Sequence, residues 1–203
     1  MSTGIKFCGL RQPRDITYAA KIEAEFAGFI MSPKFWRYVS PEDVLELRKG
    51  LASKTQVVGV TVDEDVAYVA DLINRSVIDI AQLHGSESEE YIEELRKLTG
   101  DKARITKVFL IKSSSDVEAA KKSSADYVLL DSGVGGTGKT FDWSLLDDIG
   151  RPFFLAGGLN PDNVADAVKR IRPYAVDVSS GVETDKIKDY EKMKLFARNA
   201  RKA

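Results

Sequence analysis

Scarcity sets the first limits on this chain. Its 203 residues include one cysteine and one histidine, so no internal disulfide forms and no cluster of histidine and cysteine ligands is available for zinc. Charge of one sign is also missing. Thirty basic residues stand against 31 acidic ones, a net charge of −1, and no block of like charge marks a nucleic-acid arm or a membrane-surface helix. No apolar run approaches a membrane span, and Met1-Ser-Thr-Gly4 lacks the basic-then-apolar opening of a secretion signal. Linkers and low-complexity tracts are absent. What is present is an ordinary globular composition, 43% hydrophobic, enough for one sizeable core. The expectation is a single cytoplasmic domain over residues 1–203, with no metal, no cofactor, and no nucleic-acid or membrane partner. Self-association is left open.

Short apolar or β-branched runs recur at Ile5–Cys8, Phe26–Met31, Gln56–Val62, Ile78–His84, Ile105–Ile111, Tyr127–Asp131, Phe153–Ala156 and Tyr174–Ser179. Near-continuous runs of this kind predict parallel strands buried on both faces. Helical spacings lie between them: Val44, Leu47 and Leu51; Val66, Val69, Ala70 and Ile73; Val164, Ala167, Val168 and Ile171; and Ile187, Tyr190, Met193 and Phe196. Each set makes one apolar stripe on an otherwise charged helix, which therefore lies on a core. Ser40-Pro41 and Asn160-Pro161 pair an N-cap with proline at the first helical position, while Ser86…Glu89 and Ser115…Glu118 match the capping box. Eight strand–helix units in the α/β class point to a single (β/α)8 TIM barrel of eight parallel strands. The alternative is an open doubly wound sheet, because periodicity does not show closure.

In a barrel the functional residues stand at the C-terminal ends of strands. Two late strand ends break into small residues: Phe153-Phe-Leu-Ala-Gly-Gly-Leu159 and Val176-Asp-Val-Ser-Ser-Gly-Val182. Small residues let backbone N–H groups approach an anion closely, so the pair predicts a phosphate site. Polar residues end three apolar strands, namely Cys8, His84 and Asp131, and Arg37 follows the second strand. A carboxylate after four apolar residues must be solvated, capped or functional, since burying it unpaired is costly. A free thiol is mostly protonated near neutrality, so Cys8 needs electropositive help to act as a base. His84 suits a loop anchor better than a catalytic role. Gly133–Thr140 matches the nucleotide-binding P-loop pattern to the letter. It follows the sixth strand, however, and the next helix begins too late for Lys139 and Thr140 to sit on its first turn. The stretch from Ser132 to Phe141 reads better as a mobile lid.

With these residues in place, the chain resembles the phosphoribosylanthranilate isomerases, (β/α)8 enzymes of tryptophan biosynthesis. The likeness is carried by Lys6-Phe-Cys-Gly-Leu10, Gly28-Phe-Ile30, Arg37-Tyr-Val-Ser-Pro-Glu42, Gln82-Leu-His-Gly85, Leu130-Asp-Ser132, the 135–143 segment, Leu155-Ala-Gly-Gly-Leu-Asn-Pro161 and Val176-Asp-Val-Ser-Ser-Gly-Val-Glu183. The resemblance implies Cys8 as general base, Asp131 as general acid, and Arg37 as the residue receiving the anthranilate carboxylate. It puts the phosphate on the backbone around Gly157, Gly158, Ser180 and Gly181, and turns Asp177 toward the site. The implied reaction is a cofactor-free Amadori rearrangement of one phosphosugar-anthranilate substrate. It requires Asp131 protonated and Cys8 ionised together, and so a Cys8 thiol that ionises below the usual range. Phe35-Trp36 and Arg11 depart from the family pattern, with ring stacking or plain loop packing as their alternatives. Two other readings remain. A related isomerase of histidine biosynthesis handles two phosphates, but Val60-Thr-Val-Asp-Glu-Asp65 lacks a second glycine grip. The other is a binding barrel that has lost catalysis.

Overall fold

The computed structural model describes residues 3–131, 143–146 and 149–203. The proposed lid, the P-loop-like run and the 135–142 part of the family pattern therefore lie outside the described residues. Eight parallel strands close on themselves in chain order. They are β1 (Gly4–Cys8), β2 (Phe26–Ile30), β3 (Gln56–Thr61), β4 (Ile80–Leu83), β5 (Arg104–Leu110), β6 (Tyr127–Asp131), β7 (Phe153–Leu155) and β8 (Ala175–Val178). Closure is explicit in β1, which pairs with β2 through Lys6↔Phe26 and with β8 through Gly4↔Ala175 to Phe7↔Val178. The open-sheet alternative is thereby removed. An antiparallel hairpin, β9 (Glu183–Thr184) with β10 (Ile187–Lys188), follows β8.

Seven α-helices are found among the described residues: α1 (Pro13–Ile22), α2 (Pro41–Leu47), α3 (Val66–Asn74), α4 (Glu89–Thr99), α5 (Ser114–Lys122), α6 (Val164–Ile171) and α7 (Tyr190–Lys202). Their described part between β6 and β7 holds a short 3₁₀ turn, Trp143–Leu146. The strands are buried on both sides because they separate two cores. Their outer faces meet the apolar stripes of the helices, as at Val69, Ile73, Val164, Val168, Met193 and Phe196. Their inner faces fill the barrel with Phe26, Val58, Ile80, Val108, Leu129, Phe154 and Ala175.

Helix starts differ from the sequence expectation at three places. Ser40 does cap α2, its hydroxyl accepting from the Asp43 N–H at 3.2 Å. The α4 cap is Ser88 rather than Ser86, because Ser86 gives both its N–H and its hydroxyl to Asp63. The capping box of α5 is Ser113 with Asp116, two residues before the predicted pair. Asn160 does not open a helix. Its side chain accepts from the N–H groups of Asp162 and Asn163, folding residues 160–163 into a turn, and α6 begins at Val164. Ile187, expected on the last helix, lies exposed in β10, and a 3₁₀ turn at Ser180–Val182 follows β8.

Candidate active site

The C-terminal mouth of the barrel opens into a cavity of about 360 Å³, lined by Cys8, Asp131, Asp177, Gly157, Gly158, Ser180 and Gly181. Cys8 and Asp131 are the last residues of β1 and β6, where the strand presents an inward side chain to the mouth. Gly157 and Gly158 both adopt positive φ, 89° and 66°, a conformation that only glycine takes without strain. This double turn folds the end of β7 back over the barrel. The end of β8 meets it there, since a side chain at Gly181 would run into the Leu159 carbonyl. The two glycine-bearing strand ends thus form one wall of one cavity.

Beneath them the barrel interior is polar. Lys6, at 0% exposure, donates from Nζ to Asp177 Oδ2 at 2.9 Å, across the strand pair that closes the barrel. Burial alone would push Lys6 down, but Asp177 beside it holds its ammonium above the usual lysine range. Asp177 Oδ1 finds no partner among the described residues. Gln82, on β4, is equally buried, and its Nε2 lies 3.2 Å from His84 Nδ1. Burial pushes His84 down, which favours the neutral imidazole. The His84 backbone N–H donates to the Thr61 carbonyl at 2.8 Å, and its side chain lines the cavity.

One expectation is corrected here. Burial pushes the Cys8 thiol up, and the nearby Lys6 and Lys188 charges only partly offset it. The thiol ionises above the usual range, not below it, because the same walls that exclude water penalise the thiolate.

Arg37 stands on the rim, outside the cavity lining. Its Nη2 donates to Glu183 Oε2 at 2.8 Å, and its guanidinium lies 4.1 Å from the centre of the Trp36 ring. Arg11 approaches the same ring at 4.7 Å. Trp36, 56% exposed, is therefore a shelf for two guanidinium groups rather than a packed loop residue. Arg37 packs against Gly9, the residue after Cys8, for a methyl group there would meet its Cδ at 2.9 Å. Burial would raise Glu183, but Lys188 at 2.7 Å and Arg37 hold it below the usual carboxylate range. The hairpin carrying Glu183 and Lys188 thus fixes the arginine. Lys6, Gln82, Glu183 and Lys188 were given no role from the sequence. The signal available for the first two was a polar side chain alternating with apolar ones inside a strand.

A family model for N-(5'-phosphoribosyl)anthranilate (PRA) isomerase matches residues 5–199. The N-(5'-phosphoribosyl)anthranilate isomerase of Acetivibrio thermocellus is 40% identical, over 99% of this chain and 97% of that one. The crystal structure of phosphoribosyl anthranilate isomerase from Thermotoga maritima superposes with a TM-score of 0.89 at 35% identity, covering 99% of this chain and all of that one, 100%. A second crystal structure is of phosphoribosyl anthranilate isomerase in complex with reduced 1-(o-carboxyphenylamino)-1-deoxyribulose 5-phosphate. It matches at a TM-score of 0.86 and 34% identity, covering 99% of this chain and 100% of that chain. By sequence over nearly its whole length, and by the barrel that sequence builds, the chain belongs to the N-(5'-phosphoribosyl)anthranilate isomerase family.

Proposed function

We propose that this chain, as one cytoplasmic barrel domain, converts N-(5'-phosphoribosyl)anthranilate to 1-(2-carboxyphenylamino)-1-deoxyribulose 5-phosphate, with Asp131 as acid and Cys8 as base. The observation that carries the assignment is the joint lining of one cavity by both residues and by the Gly157-Gly158 and Ser180-Gly181 wall. The phosphate docks on that wall, and the ribose lies between the acid and the base. Asp131 gives its proton to the ring oxygen as the C1'–O bond breaks, and the anthranilate nitrogen lone pair forms the iminium. The Cys8 thiolate then removes the C2' proton, whose electrons neutralise the iminium and leave an enolamine. A proton added at C1' and one lost from the 2'-hydroxyl complete the ketone.

The raised thiol fits this order. The iminium brings a positive charge beside Cys8 only after ring opening, so the base is favoured at the step that needs it. Arg37 takes the anthranilate carboxylate at the rim, with Trp36 as its shelf. One phosphate is favoured over two because the rim after β3 is acidic. Asp63 there is held below the usual range by hydrogen bonds from Ser86 and stays charged, which repels a second anion.

The test is direct. Purified protein supplied with freshly generated phosphoribosylanthranilate should extinguish the substrate's fluorescence at a rate proportional to enzyme. Absence of turnover where a known isomerase works would leave the binding-barrel reading in its place.

A further inference from the structure

Cys8 is not the only inward polar residue of β1. Lys6 lies two positions earlier and so points from the same face of the strand into the barrel. Opposite Cys8, β2 carries Gly28 rather than a side chain. A methyl group there would sit 3.1 Å from Cys8 Sγ and 3.2 Å from Lys6 Nζ, so sulfur and ammonium share the space that the glycine leaves open. Lys6 is fully buried and its ammonium is fixed by Asp177 at 2.9 Å. A buried charge of this kind is costly. Besides its pair with Asp177, the ammonium lies beside the thiol.

We propose that Lys6 is a positioning residue for Cys8: held by Asp177 and admitted by Gly28, its ammonium is the fixed counter-charge that receives the thiolate at the bottom of the site. This rests on the reading of Cys8 as base and extends it to the residues that make the base usable. The charged groups acting on the sulfur are Lys6 from its own strand, Asp177 from β8 and Lys188 from β10, while Asp131 and His84 line the same cavity. Lys6 and Lys188 favour the thiolate, and Asp177 opposes it. The two partners in the ion pair therefore act on Cys8 with opposite signs, and the cation is the one that shares space with the sulfur beside Gly28.

Because Cys8 is the sole cysteine, iodoacetamide alkylation followed across pH by mass spectrometry reads its ionisation in the full-length protein without substrate. Lys6→Met should raise the midpoint of that titration by about one pH unit or more, and Asp177→Asn should lower it, on the scale of a neighbouring charge. The acid limb of kcat/KM should move with each midpoint. Midpoints that stay at the wild-type value, or that move in the same direction in both variants, overturn the proposal. If Lys6→Met fails to fold with Asp177 left unpaired, Asp177→Asn decides alone, and an unmoved or raised midpoint there rejects it. Failure of the reading of Cys8 as base looks different. In that case Cys8→Ala keeps its turnover, while the thiol midpoints of the wild-type and Lys6 and Asp177 variants still report on Lys6.

Discussion

The inside of this barrel is two different materials made by the same strands. Toward their N-terminal ends the interior is an aromatic plug. Phe154 packs edge-on against Phe26 with ring centres 4.9 Å apart and against Tyr127 at 5.6 Å, while Tyr127 stacks on Tyr174 at 5.3 Å. Two residues further along the strands, as from Ile80 to Gln82, Leu129 to Asp131 and Ala175 to Asp177, the inward positions turn polar and join Lys6 and Cys8 at the open end. The lower half gains stability from burial and close packing. The upper half spends some of it on buried charge and on polar atoms such as Gln82 Oε1 and Asp177 Oδ1, which have no partner among the described residues. The difference teaches that closure of the sheet is secured at one end, so that the other end can stay hollow and polar.

Emptying the plug should give the largest effect. Phe154→Ala removes a ring that is 1% exposed and should cost about 3–5 kcal/mol in denaturant unfolding, while kcat measured well below the unfolding transition stays close to wild type. A large loss of kcat in the folded variant would show the two halves to be coupled. The converse variants act on the mouth. Cys8→Ala and Asp131→Asn should each lower kcat by at least about a hundredfold, roughly 2.7 kcal/mol of transition-state stabilisation, with little change in the unfolding midpoint. A variant that keeps kcat within about threefold, far below the usual scale of acid–base help, would remove that residue from the chemistry.

The plug was easier to read in the sequence than the mouth. Every barrel strand was visible to within about two residues, since apolar runs buried on both faces leave an unambiguous pattern. Helix starts were less legible. Ser86, Ser115 and Asn160 are all chemically fit to cap, but Ser86 is claimed by Asp63 from another loop and Asn160 by its own turn. Local propensity does not contain those competitors. The same holds in the site. Cys8 and Asp131 stood out because a strand end has a recognisable place in a barrel. Lys6 did not, because its meaning depends on Asp177, 171 positions away in the chain. The expected lowering of the Cys8 thiol failed for a related reason. Spacing can show that a cation is near, but the opposing cost of burial is a property of the closed barrel.

The rim joins neither half, and its variant should give the smallest change. Arg37 is held from outside, by Glu183 on the hairpin and by the Trp36 face, rather than by the barrel interior. Its contact with a substrate carboxylate would exist before and after ring opening, and such uniform binding lowers KM without raising kcat. Arg37→Ala should therefore raise KM by about tenfold, near 1.4 kcal/mol, and leave kcat and unfolding nearly unchanged. Glu183→Gln should raise it less, because the stack on Trp36 still orients the guanidinium after its ion pair is weakened. Steady-state kinetics on the two variants separate the contributions. If Arg37→Ala lowers kcat as much as Cys8→Ala does, the rim belongs to the chemistry of the mouth and the carboxylate is held elsewhere. If Glu183→Gln matches Arg37→Ala in KM, the hairpin and not the tryptophan sets the arginine's position.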